Sequence, residues 1–303
     1  MALIAVVGPT AAGKSDLSIS LAHRLAGEVV NCDSMQLYQG MDIGTAKLSV
    51  AEREGVQHHL LDIWPVTQPA SVAEYQTLAR AAIDGILDRG RVPLLVGGSG
   101  LYVRAVLEDF IFPGTDSGVR VALETELAEV GPLALHRRLA GIDPEAAARI
   151  LPSNGRRIVR ALEVISLTGQ PFTASLPAEP KRVYDCVQIA VDRDDLDERI
   201  EQRVAKMWRE GFVDEVRRLD KLGLRDGITA SRALGYQQIL NVLQGSLSEE
   251  DAFQATVTAT RRFVRRQRSW FRRDPSVVWL DGAAPDLLER AEHEIHQGSR
   301  HGQ

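Results

Sequence analysis

The first fifteen residues limit what this chain can fold into more than any other stretch. Leu3-Ile4-Ala5-Val6-Val7 is an unbroken apolar run, and Gly8-Pro9-Thr10-Ala11-Ala12-Gly13-Lys14-Ser15 follows it without a gap. A short apolar run ended by glycine reads as a fully buried strand, whereas Lys14–Leu25 carries a helical apolar pattern. A strand, then G-x-x-x-x-G-K-[ST], then a helix is the arrangement of a phosphate-binding loop. Its glycines let successive backbone N–H groups turn inward onto phosphate oxygens, and the helix adds the positive end of its dipole. Lys14 would reach a terminal phosphate, and the Ser15 hydroxyl would sit on a magnesium ion. Gly8, Pro9, Thr10, Ala11, Ala12, Gly13, Lys14 and Ser15 are therefore the expected diphosphate- or nucleotide-binding set.

Further short apolar or β-branched runs occur at Glu28–Asn31, His59–Ile63, Pro93–Val96, Cys186–Val191 and Val277–Leu280. Helical patterns separate most of them, at Ala73–Arg89 and over a long stretch from Leu196 to Leu222. Such alternation predicts an α/β fold with a mostly parallel sheet flanked by helices. From Asp116 to Pro180 the rhythm stops, and only helical patterns are found: Gly118–Val130, Leu133–Leu139, Pro144–Leu151 and Arg156–Leu167. Pro113-Gly114 and Pro177–Pro180 punctuate its ends. The expectation is a catalytic core of residues 1–115 and 181–303, carrying an inserted all-helical subdomain at 116–180, with a frayed tail at Gln297–Gln303.

The 303 residues hold a formal net charge of −5 and only two cysteines, Cys32 and Cys186, far apart in sequence. Neither a disulfide framework nor a zinc site follows, and a reducing cytoplasm fits. No secretory signal and no bilayer-length apolar segment is evident, so no membrane association is expected. The negative charge is unevenly spread. Arg261–Arg273 holds seven arginines with Phe263, Trp270 and Phe271 between them. A basic helix in an acidic protein is the electrostatic footprint of a polyanion; the structural alternative is pairing with the acidic stretch Asp192–Glu201. Arg156-Arg157-Ile158-Val159-Arg160 is a second basic cluster.

Asn31–Tyr38 follows the second strand, so Asp33 stands where a metal ligand or general base would lie, unless it is only a turn or helix-capping residue. Met41–Lys47 reads as an ordered loop, and Gly97-Gly98-Ser99-Gly100-Leu101-Tyr102 would give close backbone approach and one hydroxyl. Glu215–Leu219 and Ser231–Gln238 put polar groups on later helices that could be merely surface. His58 and His59, adjacent on a strand, point to opposite faces and do not suit a single metal ion.

The order of these stretches resembles one family: the phosphate loop, Asp33-Ser34 with Tyr38, Met41–Lys47, His58–Asp62, Gly97–Tyr102, Arg157–Glu163, Leu234-Gly235-Tyr236 and Arg-Gln-Arg-x-Trp-Phe-Arg. It is similar to the bacterial tRNA dimethylallyltransferases, also called tRNA isopentenyltransferases, over nearly the whole chain. The resemblance implies a P-loop NTPase-like core. It also implies transfer of a dimethylallyl group from dimethylallyl diphosphate to N6 of the adenosine 3′ of the anticodon. On that pattern Asp33, Ser99 and Lys14 are catalytic, Arg217 joins the phosphate loop on the diphosphate, and Mg²⁺ is the cofactor. Asp33, Ser34, Met35, Gln36, Ser99, Arg120, Arg156, Arg157, Ile158, Val159 and Arg160 would contact the anticodon stem-loop of tRNA, with the insertion closing over it. A monomer is implied. Ser99 stands where the family usually has threonine, Gln237 where many members carry arginine, and Gln57 where proline is common; no Cys/His extension follows the basic helix. The competing functions are a small-molecule or nucleoside kinase, which would need a triphosphate, and a non-catalytic RNA-binding regulator, indifferent to loss of Asp33.

Overall fold

The computed structural model describes residues 2–172 and 181–298. The punctuation at 177–180 and the end of the tail beyond 298 lie outside the described residues. Six strands, β1 (Leu3–Val7), β2 (Gly27–Asn31), β3 (His58–His59), β4 (Val92–Val96), β5 (Cys186–Asp192) and β6 (Val277–Asp281), form one sheet in the order β3-β2-β4-β1-β5-β6. Every pairing is parallel. Parallel neighbours need long crossovers, which helices supply. The helices of the core are α1 (Lys14–Leu25), α2 (Val72–Asp88), α3 (Gly100–Leu107), α7 (Leu196–Arg209), α8 (Phe212–Asp220), α9 (Tyr236–Leu243), α10 (Glu249–Phe271) and α11 (Leu287–Gly298). Between α3 and β5 lie α4 (Ser117–Ile142), α5 (Pro144–Arg149) and α6 (Gly155–Thr168).

Both faces of the sheet are covered, which is why β1 is apolar at every position. Leu3, Ala5 and Val7 join one core with α2, α3, α8 and α9. Ile4 and Val6 join the other, with α1, α7 and α11. The two-residue period of a strand divides the run between two cores.

Two expected elements differ. The strand expected over His59–Ile63 is only His58–His59, because Leu60 and Asp62 take positive φ (62° and 57°) and turn the chain out of extended geometry. The helical stretch expected from Leu196 to Leu222 consists of two helices, α7 and α8, divided at Gly211 with φ 94°. In the insertion the helical path of α4 breaks at Gly131 (φ 78°), just before Pro132.

The chain divides into two compact units, residues 1–107 with 184–303, and Glu108–Val183. The second is wider than the expected 116–180 because its two strands of chain are tied together at the neck: Glu108 bridges Arg182, and the Asp109 amide donates to the Lys181 carbonyl at 2.9 Å. It has its own core, built on Leu123, Leu135, Leu139, Ile158 and Leu162.

Candidate active site

Four loops leave the carboxyl ends of β1, β2, β4 and β5, the edge where open α/β sheets bind ligands. The phosphate loop after β1 needs left-handed backbone at Gly8 (φ 122°), Ala11 (φ 68°) and Gly13 (φ 101°). At Gly8 a Cβ would also lie 2.4 Å from the Val191 carbonyl oxygen of β5. Lys14 Nζ donates to the Pro9 carbonyl at 2.7 Å, folding back over its own loop. Burial and the neighbouring Arg203 lower its pKa to about 8, against the attraction of Asp33. Ser15 is exposed in the first turn of α1.

Asp33 sits one residue past buried Cys32, in a turn closed by two hydrogen bonds. Its amide donates to Asn31 Oδ1 at 3.0 Å, and its Oδ1 accepts from the Met35 amide at 2.9 Å. Burial raises its pKa, while the Met35 amide and Lys14 work in the other direction. The third loop reaches the same spot: Ser99 Oγ accepts from the Ser34 amide at 3.2 Å, and its hydroxyl lies 3.3 Å from Ser34 Oγ. Only glycine permits this approach, since a Cβ on Gly97 would fall 2.1 Å from the Cys32 carbonyl oxygen. The fold thus brings Lys14, Asp33, Ser34 and Ser99 together from three loops.

Sequence reasoning missed the side chains that hold these loops. Arg199 Nε donates to the Ala11 carbonyl at 2.9 Å, and Arg203 donates to Thr10 Oγ1 at 3.2 Å; both come from α7. Gln267 of α10 contacts the phosphate loop and Gly98. Glu215, read as a surface candidate, is 1% exposed. Its carboxylate accepts from the amides of Asp42, Ile43 and Gly44 and from the Tyr236 hydroxyl. It thereby pins the Met41–Lys47 loop, whose Thr45 carbonyl accepts from Gln36 Nε2 at 3.1 Å. No local sequence pattern marked these residues as partners of the loops, because the backbone each one meets lies far away along the chain.

Other expected residues fall elsewhere. Arg217 pairs with Asp214 on the exposed side of α8, an ion pair of little worth that is readily exchanged. Ile158 and Val159, named as RNA contacts, are 0% and 2% exposed and belong to the core of the insertion; helix period turns them away from Arg156 and Arg157, which are exposed. Arg120 and Arg160 both bind the fully buried Glu163 carboxylate, at 2.5 Å and 2.9 Å. Burial disfavours that charge, and the two arginines outweigh it, leaving the Glu163 pKa lowered. The basic helix is divided in use. Arg261 pairs with Asp197 and Glu201, and Arg268 with Asp192, the structural alternative raised above. Arg262, Arg265, Arg266 and Arg273 remain exposed on the outer face. His59 faces Glu28 at 2.7 Å while His58 bonds the Val56 carbonyl, so the pair does diverge.

No group of three His, Cys, Asp or Glu residues able to hold a metal occurs among the described residues. A magnesium ion is still compatible with the site, because it commonly binds through one or two protein oxygens plus substrate phosphates. Ser15, exposed in the first turn of α1, supplies a hard oxygen of that kind.

Residues 36–274 match the family described as IPP transferase. The chain belongs to the IPP transferase family. This IPP transferase family member is 68% identical over 300 residues to the tRNA dimethylallyltransferase of Salinispora arenicola (strain CNS-205), spanning 98% of this chain and 87% of that one. To the tRNA dimethylallyltransferase of Thermobifida fusca (strain YX) it is 66% identical over 296 residues, 95% and 92% of the two chains. Among solved structures, the full-length tRNA isopentenylpyrophosphate transferase of Bacillus halodurans matches with a TM-score of 0.73 and 41% identity, over 99% of this chain and 98% of that one. A eukaryotic dimethylallyltransferase acting on tRNA matches with a TM-score of 0.81 and 26% identity, over 98% and 77%.

Proposed function

We propose that this IPP transferase family member moves a dimethylallyl group from dimethylallyl diphosphate to N6 of the adenosine 3′-adjacent to the anticodon, releasing diphosphate. As a family member it is a tRNA-modifying prenyltransferase, and kinase chemistry is set aside. The observation that carries the finer assignment is the meeting of the phosphate loop, Asp33 and Ser99 at one edge of the sheet.

In the reaction the bond from the allylic carbon to the diphosphate oxygen breaks, and its electron pair stays on the leaving group. Amides of the Ala11–Ser15 part of the phosphate loop and the Lys14 ammonium would meet that charge where it develops. Arg217 can leave exposed Asp214 for a phosphate. A magnesium ion held by Ser15 and the diphosphate would supply further charge neutralisation. The N6 lone pair forms the new C–N bond, and its proton passes to the Asp33 carboxylate. The elevated pKa of Asp33 makes it a better proton acceptor than an ordinary aspartate. Ser99 and Ser34 hold hydroxyls beside Asp33 for the extruded base. Flipping that base out costs a few kcal/mol. Met35, Gln36, Arg120, Arg156, Arg157 and Arg160 then hold the loop by phosphate and base contacts. The protein acts as a monomer in the cytoplasm, where its RNA substrate resides. No helix among the described residues is long and apolar enough to cross a membrane.

The test is incubation with unmodified tRNA, magnesium and labelled dimethylallyl diphosphate, without ATP. Label is expected in the tRNA with release of diphosphate. Consumption of ATP with tRNA and prenyl donor untouched refutes the proposal. Asp33→Asn is expected to lower kcat by about 10²- to 10⁴-fold while tRNA still binds, as measured by filter retention.

A further inference from the structure

Gln267 lies on the inner face of α10, 5% exposed, directly beneath the site. Its Oε1 accepts from the Thr10 amide of the phosphate loop at 3.0 Å. Its Nε2 donates to the Gly98 carbonyl, also at 3.0 Å, one residue before Ser99. One planar amide therefore satisfies a donor on the β1 loop and an acceptor on the β4 loop, fixing the gap between them. The fit is tight: a Cβ on Gly98 would lie 2.1 Å from Gln267 Nε2 and 3.0 Å from the Gly8 carbonyl oxygen. Its neighbours in α10 anchor the helix to the same edge. Arg268 holds both Asp192 oxygens at 2.9 Å at the carboxyl end of β5, and Trp270 lies against Gly100, where a Cβ would come within 2.1 Å of its ring.

We infer that Gln267 is a positioning residue for prenyl transfer, setting the phosphate loop and Ser99 in register so that leaving group and attacking base are aligned. The inference rests on the function proposed above. Gln267 touches no substrate; it acts through the Thr10 amide and the Gly98 carbonyl. Its two bonds run to backbone, and no other amino acid of similar size offers a neutral donor and acceptor side by side. Removing them leaves the buried Gly98 carbonyl and the half-buried Thr10 amide unpartnered, which the loops relieve by moving apart. A displacement of about 1 Å costs a positioned reaction on the order of 10²-fold.

Gln267→Met keeps the volume and loses both hydrogen bonds. Steady-state kinetics with saturating tRNA are expected to give kcat/KM for dimethylallyl diphosphate roughly 10- to 100-fold lower. Calorimetric binding of inorganic pyrophosphate with magnesium should weaken in parallel, and tRNA affinity should stay within about twofold. Gly98→Ala displaces the amide without removing it, so it should reproduce that signature. In the double variant the losses should fall short of their product, because both break one interaction. Gly98→Ala also serves if Gln267→Met does not fold. A variant that melts earlier but keeps wild-type kcat/KM and pyrophosphate affinity assigns Gln267 a purely structural role and overturns the inference. So does a fully multiplicative double variant. A wild-type protein that transfers no prenyl group defeats the proposed function instead.

Discussion

Replacing Glu215 by glutamine preserves shape and removes one acceptor oxygen from a fully enclosed position. Oε2 accepts from the Asp42 amide at 3.1 Å and the Ile43 amide at 2.7 Å, while Oε1 accepts from the Gly44 amide at 3.2 Å and the Tyr236 hydroxyl at 2.6 Å. Whichever oxygen becomes an NH₂ group, two donors then face a donor. A buried donor left unsatisfied costs about 1–3 kcal/mol, and the Tyr236 hydroxyl can rotate away, so the loss is about 2–4 kcal/mol. For a body of this size that corresponds to a fall in Tm of roughly 5–12 °C. Neighbouring groups cannot close the gap, because Gly44 is already packed against Phe212, where a Cβ would fall 2.1 Å from the ring. Hydrogen exchange offers a local assay: the amides of 42–44 should lose protection before the strands of the sheet do. Since Thr45 supports Gln36, the KM for tRNA should rise more than that for the prenyl donor. A Tm change below about 2 °C with unchanged exchange at 42–44 would refute the clamp.

Lys14, with its pKa lowered from 10.5 to about 8, sheds its proton in the folded, ligand-free protein between those values while the unfolded chain keeps it. Ligand-free stability should therefore rise with pH through that window. A bound diphosphate restores the charge, so pyrophosphate binding should take up a proton near pH 8 and weaken above it. Calorimetry in buffers of different ionisation enthalpy measures this, and equal uptake by Lys14→Gln would refute the assignment. Neutralising the exposed pair Arg262 and Arg265 should flatten the salt dependence of tRNA binding, the logarithmic slope falling by about 0.7–0.9 for each phosphate no longer neutralised. Arg268→Gln, which leaves Asp192 only the Arg193 amide and the more distant Arg272 at 3.7 Å, should instead lower Tm and leave that slope unchanged.

The phosphate loop was legible because its strand, glycines and helix lie within 25 consecutive residues, so local conformational preference and burial act on adjacent positions. The same holds for the alternation of strands and helices and for the ordered motifs that mark the family. Even Ile158 and Val159 carried a usable signal, since helix period separates them from Arg156 and Arg157. What only the tertiary structure decided is which distant side chain completes each loop. Gln267 meets an amide 257 positions earlier, Arg199 a carbonyl 188 earlier, and Glu215 the amides of 42–44. Periodicity states that a residue faces inward, but a hydrogen bond depends on atoms meeting within a few tenths of an ångström. That distance is set by the packing of whole helices on the sheet.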